Sequence, residues 1–89
     1  MNEFLIFHSS SNTPGATVER IRRTARGCAE SSHVDVRIMA IDIDASHPKN
    51  KHRQTKRLIE CTTVVDDTAS DTAVNPSDTR ICELIAALK

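Results

Sequence analysis

At 89 residues the chain is short enough that a single domain with one core is expected, and its hydrophobic fraction of 38% suffices for a modest core. Lys plus Arg and Asp plus Glu both total 12, so a zero formal charge gives no global pull toward nucleic acid or membrane. The only aromatics are Phe4 and Phe7, which leaves Ile, Val, Leu, Ala and Cys to fill the core.

Phe4-Leu5-Ile6-Phe7 is a continuous apolar run closed by serines, the pattern of a strand buried on both faces in a partly parallel sheet. Asn12-Thr13-Pro14-Gly15-Ala16 follows, with Thr13 as a candidate N-cap and Pro14 at the first helical position, where its missing N–H costs nothing. Val18, Ile21, Ala25 and Cys28 recur at helical spacing, while Arg20, Arg22, Arg23 and Arg26 fall largely on the other side. Gly27 is expected to weaken the last turn, and Ser31-Ser32-His33 to form a loop. Val34 to Ile41 reads as a second strand, parallel to the first through a βαβ unit.

Asp42 to Ser46 then reads as a connection, and a short basic helix is expected from Ser46 or His47 and Pro48 to Glu60, with Leu58 and Ile59 as its strong apolar residues. Thr62 to Val65 reads as a strand, Asp66 to Asp71 as a polar turn, and Thr72 to Val74 as the partner strand of a hairpin. Ser77 or Asp78 then caps a last helix from Thr79 to Leu88, with Ile81, Leu84, Ile85 and Leu88 on one face. The expected fold is a single α/β domain of order βαβαββα over residues 1–89, with a mixed four-stranded sheet and flanking helices.

Charge is unevenly placed. Residues 20–57 carry ten Lys or Arg against four acids, and residues 58–79 five acids and no base. Cys28, Cys61 and Cys82 are odd in number and far apart, so they lack the close pairs of zinc or dithiol sites and read as buried free thiols in a reducing cytoplasm. Neither a secretory leader nor a membrane span is expected, and the cytoplasm is the expected location.

The element order and length resemble the thioredoxin fold, its glutaredoxin-like members and the KaiB-like branch in particular. Asn12-Thr13-Pro14-Gly15-Ala16 stands where glutaredoxins have Cys-Pro-Tyr-Cys, so Thr13 and Ala16 would replace the two cysteines. KaiB-like proteins have a similar cysteine-free Asn-Thr-Pro there. Ser77-Asp78 is similar to the Ser-Asp before the corresponding KaiB-like helix, a helix start that in glutaredoxins helps hold a glutathione carboxylate. Thr62 would replace the family's cis-proline. A trans bond is expected at Thr62, because a non-proline cis bond costs roughly 3 kcal/mol.

Dithiol exchange needs a thiolate stabilised at a helix N-terminus and a second thiol to resolve the mixed disulfide, and Thr13 and Ala16 supply neither. The resemblance therefore implies a non-catalytic module that binds a protein partner or self-associates, without a cofactor. One alternative is a monothiol glutaredoxin-like or glutathione-binding protein using Cys61. Candidate anion contacts are Ser11, Thr13, Ser77 and Asp78, set against ordinary helix capping.

Another alternative is nucleic-acid binding through Arg22, Arg26, Lys49, Lys51, Arg53, Lys56 and Arg57, although no aromatic interleaves them to stack on bases. His8, His33, His47 and His52 show no metal-ligand spacing, so no metal site is expected, and Asp42, Asp44, Asp66 and Asp67 read as strand-end and turn acids.

Overall fold

The computed structural model of the chain describes residues 1–46 and 59–89. The elements are β1 (Asn2–His8), α1 (Gly15–Ser32), β2 (Val36–Asp42), a single turn α2 (Ile43–Ser46), β3 (Ile59–Val65), β4 (Thr68–Val74) and α3 (Asp78–Ala86). The sheet order is β2-β1-β3-β4, with β1 parallel to β2 and antiparallel to β3, and β4 antiparallel to β3. This is the mixed four-stranded α/β architecture expected from the sequence.

One face of the sheet carries the core. Phe4 and Ile6 on β1 and Ile59 and Cys61 on β3 are buried with Val18, Ile21, Ala25 and Ala29 of α1 and Ile81, Leu84 and Ile85 of α3. The helix positions recur at three- and four-residue spacing and the strand positions at two, so each element turns one apolar side inward. The other face is only partly covered. Leu5 pairs with Met39 and Thr62, and Phe7 with Ile41 and Glu60. Leu5 and Phe7 are half-buried, so β1 is fully buried on one face and not on both as expected.

Element ends differ from the sequence reading for local reasons. Pro14, not Thr13, is the N-cap of α1: its backbone is still extended (φ −61°, ψ 139°) and no side chain caps the helix. At the other end α1 runs through Ser32, because His33 adopts the left-handed conformation (φ 55°). His33 N–H then bonds Glu30 O and Val34 N–H bonds Ala29 O, which closes the helix and delays β2 to Val36. Ile43–Ser46 forms a turn of helix where a connection was expected.

Most of the basic helix expected from residue 47 lies outside the described residues. Its expected end, Ile59 and Glu60, belongs instead to β3, where Ile59 is 3% exposed and pairs with His8. The hairpin turn is shorter than expected. Asp66 (φ 51°) and Asp67 (φ 66°) both take the left-handed conformation that two-residue hairpin turns require, and Asp tolerates it better than most residues. The expected turn residues from Thr68 to Asp71 are therefore strand, with the register shift leaving Ser70 without a partner on β3.

The cysteines also depart from expectation. Cys28 of α1 and Cys82 of α3 form a disulfide with Cα atoms 5.4 Å apart, so only Cys61 is a free, buried thiol. Both bonded cysteines sit on facing helix sides, which a sequence separation of 54 conceals. No helix among the described residues is long and apolar enough to cross a membrane.

Candidate functional site

The region in question is the loop from Ser9 to Pro14, which carries the chain from the C-terminal end of β1 to the head of α1. Two acids shape it, Asp42 at the end of β2 and Asp44 in α2. Asp44 Oδ2 accepts from Ser9 Oγ at 2.7 Å, Ser11 N at 2.9 Å and Ser11 Oγ at 2.6 Å. Asp42 Oδ1 accepts from Ser10 N at 3.2 Å and Asp44 N at 3.0 Å. These are charge-assisted bonds, which explains how the polar side chain of Ser9 can be fully buried.

The Ser10 side chain lowers the Asp42 carboxyl below its ordinary value most strongly. Partial burial opposes this, and the Ser10 and Asp44 N–H groups and the His8 charge add to the lowering. The two acids thus act as acceptors for the loop, a role their strand-end position alone did not disclose. The described residues contain no cluster of His, Cys, Asp or Glu able to hold a metal ion.

Ser11, a candidate anion contact, is thus already bonded to a carboxylate. Thr13 is 6% exposed, and its backbone N–H bonds Ser9 O at 2.7 Å while its hydroxyl has no partner. An unpaired buried hydroxyl costs on the order of 1–3 kcal/mol. Ala16 lies exposed in the first turn of α1. Ser77 and Asp78 do not join this loop through hydrogen bonds. Ser77 Oγ caps α3 by accepting from Arg80 N at 3.2 Å, as expected, and Asp78 pairs with Arg20 and accepts from Thr24 Oγ1 at 3.4 Å.

Thr62 is the fourth residue of β3, opposite Leu5 and Thr72, with its hydroxyl 3.2 Å from that of Thr72. Because β3 starts at Ile59 rather than Thr62, Thr62 is a mid-strand residue and does not precede the strand. No described peptide bond is cis, so the expected trans bond at Thr62 is found. Cys61, one residue earlier, faces the core opposite Ile6 and Ala73 at 0% exposure. Burial, with the Glu60 charge adding to it, pushes its thiol up to about 12.

Arg26 is exposed on α1. Arg22 instead lines a cleft of about 350 Å³ between the first turns of α1 and the ends of β1 and β2, together with His8, Ser10, Thr13, Gly15 and Glu19. Its ion pair with Glu19 is long, at 3.9 Å. The other basic-surface candidates, Lys49, Lys51, Arg53, Lys56 and Arg57, lie outside the described residues. Sequence reasoning missed the cleft, since it placed Arg22 on a solvated stripe and gave His8 no role.

No protein-family model matches the chain, and no curated protein matches it. Among solved structures, the oxidised thioredoxin of Plasmodium falciparum is similar, with a TM-score of 0.62 at 15% identity over 97% of this chain and 81% of that one. The fold is thioredoxin-like.

Proposed function

We propose that this chain is a non-catalytic thioredoxin-fold module of the KaiB-like kind, which binds a protein partner or a second copy of itself. One observation carries the reading. The head of α1 offers a hydroxyl at Thr13 and a methyl at Ala16 where exchange chemistry needs two sulfurs, and the free thiol, Cys61, is fully buried and held protonated.

The Cys28–Cys82 bond does not replace the missing pair in this reading. Cys28 lies near the C-terminal end of α1 and Cys82 in the middle of α3, away from the helix N-termini that lower a thiol's pKa. The bond serves as a tie between helices. Disulfides persist in oxidising surroundings, so it favours such a setting over the reducing cytoplasm expected from free thiols.

The edge strand β4 is the element best suited to a partner. Six of its seven residues are exposed and its outer flank has no partner strand among the described residues, the template to which an added strand can bond. The bulge at Ser70 and the Asp71 charge blunt its first half, which leaves Thr72 to Val74 as the regular stretch. For the basic-surface alternative, Arg26 is exposed and Arg22 makes a long pair with Glu19, while the other five candidates lie outside the described residues.

Titration with reduced glutathione while following amide resonances tests the glutaredoxin-like alternative. No saturable shift near Cys61, Ser77 or Asp78 is expected, and a saturable one there would overturn the reading. Asn75 N–H bonds Ile59 O, so in this register Ala73 also bonds β3 and Val74 turns its N–H to the outer edge. Sedimentation across a concentration range tests self-association through β4: a concentration-dependent rise in mass for wild type that is lost in Val74→Pro is expected, and a rise equal in both excludes this edge.

A further inference from the structure

We propose that Asp71, anchored by Arg80 of α3, is an autoinhibitory clip on the outer edge of β4, and that its opening lets this strand pair with the β4 of a second copy of the chain. The clip rests on the reading of β4 as the partner edge and adds what regulates that edge.

Hydrogen-bond alternation along the β3–β4 ladder decides which backbone groups face outward. Asn75 N–H bonds Ile59 O, and Cys61 with Ala73 and Thr63 with Asp71 follow at two-residue steps, so Ala73 and Asp71 turn their backbone groups to β3. Thr72 and Val74 therefore turn theirs to the outer flank. There the Thr72 N–H is already engaged, because Asp71 Oδ1 accepts from it at 2.9 Å. A donor that an added strand needs is taken by the side chain of the residue before it.

The carboxylate is held in place from the helix side. Asp71 lies opposite Thr63, which is 1% exposed, so its side chain springs from the sheet face that α1 and α3 cover. Arg80, in the first turn of α3, places Nη2 3.5 Å from Asp71 Oδ2, while its Nη1 donates to Glu83 Oε1 at 3.3 Å. One carboxylate oxygen thus serves the strand edge and the other the guanidinium. The Arg80 and Asp71 side chains are 43% and 48% exposed, so water competes for both contacts and the clip can open without unfolding the strand.

The stretch beyond the clip matches itself. Thr72-Ala73-Val74 carries no charge, and antiparallel pairing about a two-fold axis at Ala73 sets Thr72 against Val74 of the second copy. Asp71 then falls opposite Asn75 of that copy, so no like charges oppose each other. The Val74 side chain, 54% exposed in the single chain, gains a cross-strand neighbour. With the clip closed, Val74 N–H can still bond the Thr72 carbonyl of the second copy. Opening it adds the bonds from Thr72 N–H to the Val74 carbonyl, so the clip sets how tightly the copies pair.

Sedimentation equilibrium of the full chain tests this with wild type, Asp71→Ala, Arg80→Gln and Asp71→Ala/Val74→Pro, each first shown by circular dichroism to keep the fold. Dimerisation at least tenfold tighter in Asp71→Ala, tighter by a smaller factor in Arg80→Gln, and lost in the double variant is expected. In dilute monomer the Thr72 amide should exchange with water faster in Asp71→Ala than in wild type, beyond the intrinsic effect of the substitution. Equal dimerisation in wild type and both single variants would overturn the clip, as would unchanged Thr72 exchange. A dimer that persists in the double variant places the contact elsewhere and overturns it too. Absence of any dimer in all four proteins would instead overturn β4 self-pairing, the premise on which the clip stands.

Discussion

Removing the Cys28–Cys82 bond as Cys28→Ser/Cys82→Ser should destabilise the fold by about 4 kcal/mol. The magnitude follows from the closed loop: a separation of 54 residues confines the unfolded chain by about 14 cal/mol/K, or about 4 kcal/mol at 25 °C. A chain of this length has a total stability of roughly 5–13 kcal/mol, so the bond supplies a third or more of it. The substitution keeps two small side chains between α1 and α3, and packing should change little. Urea denaturation followed by circular dichroism is the assay. With a slope of roughly 1–2 kcal/mol/M, the midpoint should fall by about 2–4 M. Equal midpoints, or three rather than one titratable thiol in denaturant without reductant, would refute the assignment of the bond and the reasoning built on it.

Cys61 should resist iodoacetamide in the native protein at pH 8 and react on unfolding, as mass spectrometry would show, since the thiol is sealed and its pKa stands at about 12. The same shift makes stability fall as pH rises from the unfolded value of 9.0 toward about 12, because the unfolded chain loses this proton first. Replacing Cys61 with Ala should flatten that decline in alkaline urea titrations. Asp44→Ala should cost about 2–3 kcal/mol, because it strips the acceptor from the buried Ser9 and from Ser11, and should lower the melting temperature by roughly 10 °C or more. Asp42 has a lowered pKa, so its ties to the loop are complete above the ordinary 3.8 and are lost only as pH falls through the folded value. The Ser10 amide resonance should titrate with a midpoint below 3.8, and a midpoint at or above it contradicts the hydrogen-bond account.

The element order was legible because each main element carries its own period. Phe4 and Ile6 alternate, and Val18, Ile21, Ala25 and Ile81, Leu84, Ile85 fall on helical faces. Ends were less legible, since they depend on single backbone conformations. His33 and Asp67 take left-handed angles that composition allows but does not require, and these set where α1 stops and how tightly β3 turns into β4. Ile59 looked helical beside Leu58, and pairing with His8 made it strand.

The site was legible as an absence, the two sulfurs missing at Thr13 and Ala16. Its positive content was not. Asp42 and Asp44 read as strand-end acids, and only the parallel pairing of β1 with β2 brings them to the serine loop. Cys28 and Cys82 meet because two helices face each other, a long-range contact that spacing does not encode. Arg22 was separated from its exposed neighbours by one helical position, which turns it toward His8 and Thr13.

The central claim is that this thioredoxin-like fold works without thiol–disulfide exchange. Insulin reduction with the full chain and dithiothreitol measures it directly. The rate should equal that of dithiothreitol alone for wild type, Cys61→Ser and Cys28→Ser/Cys82→Ser. Turnover above that rate which disappears in either variant would contradict the account and identify the thiol responsible.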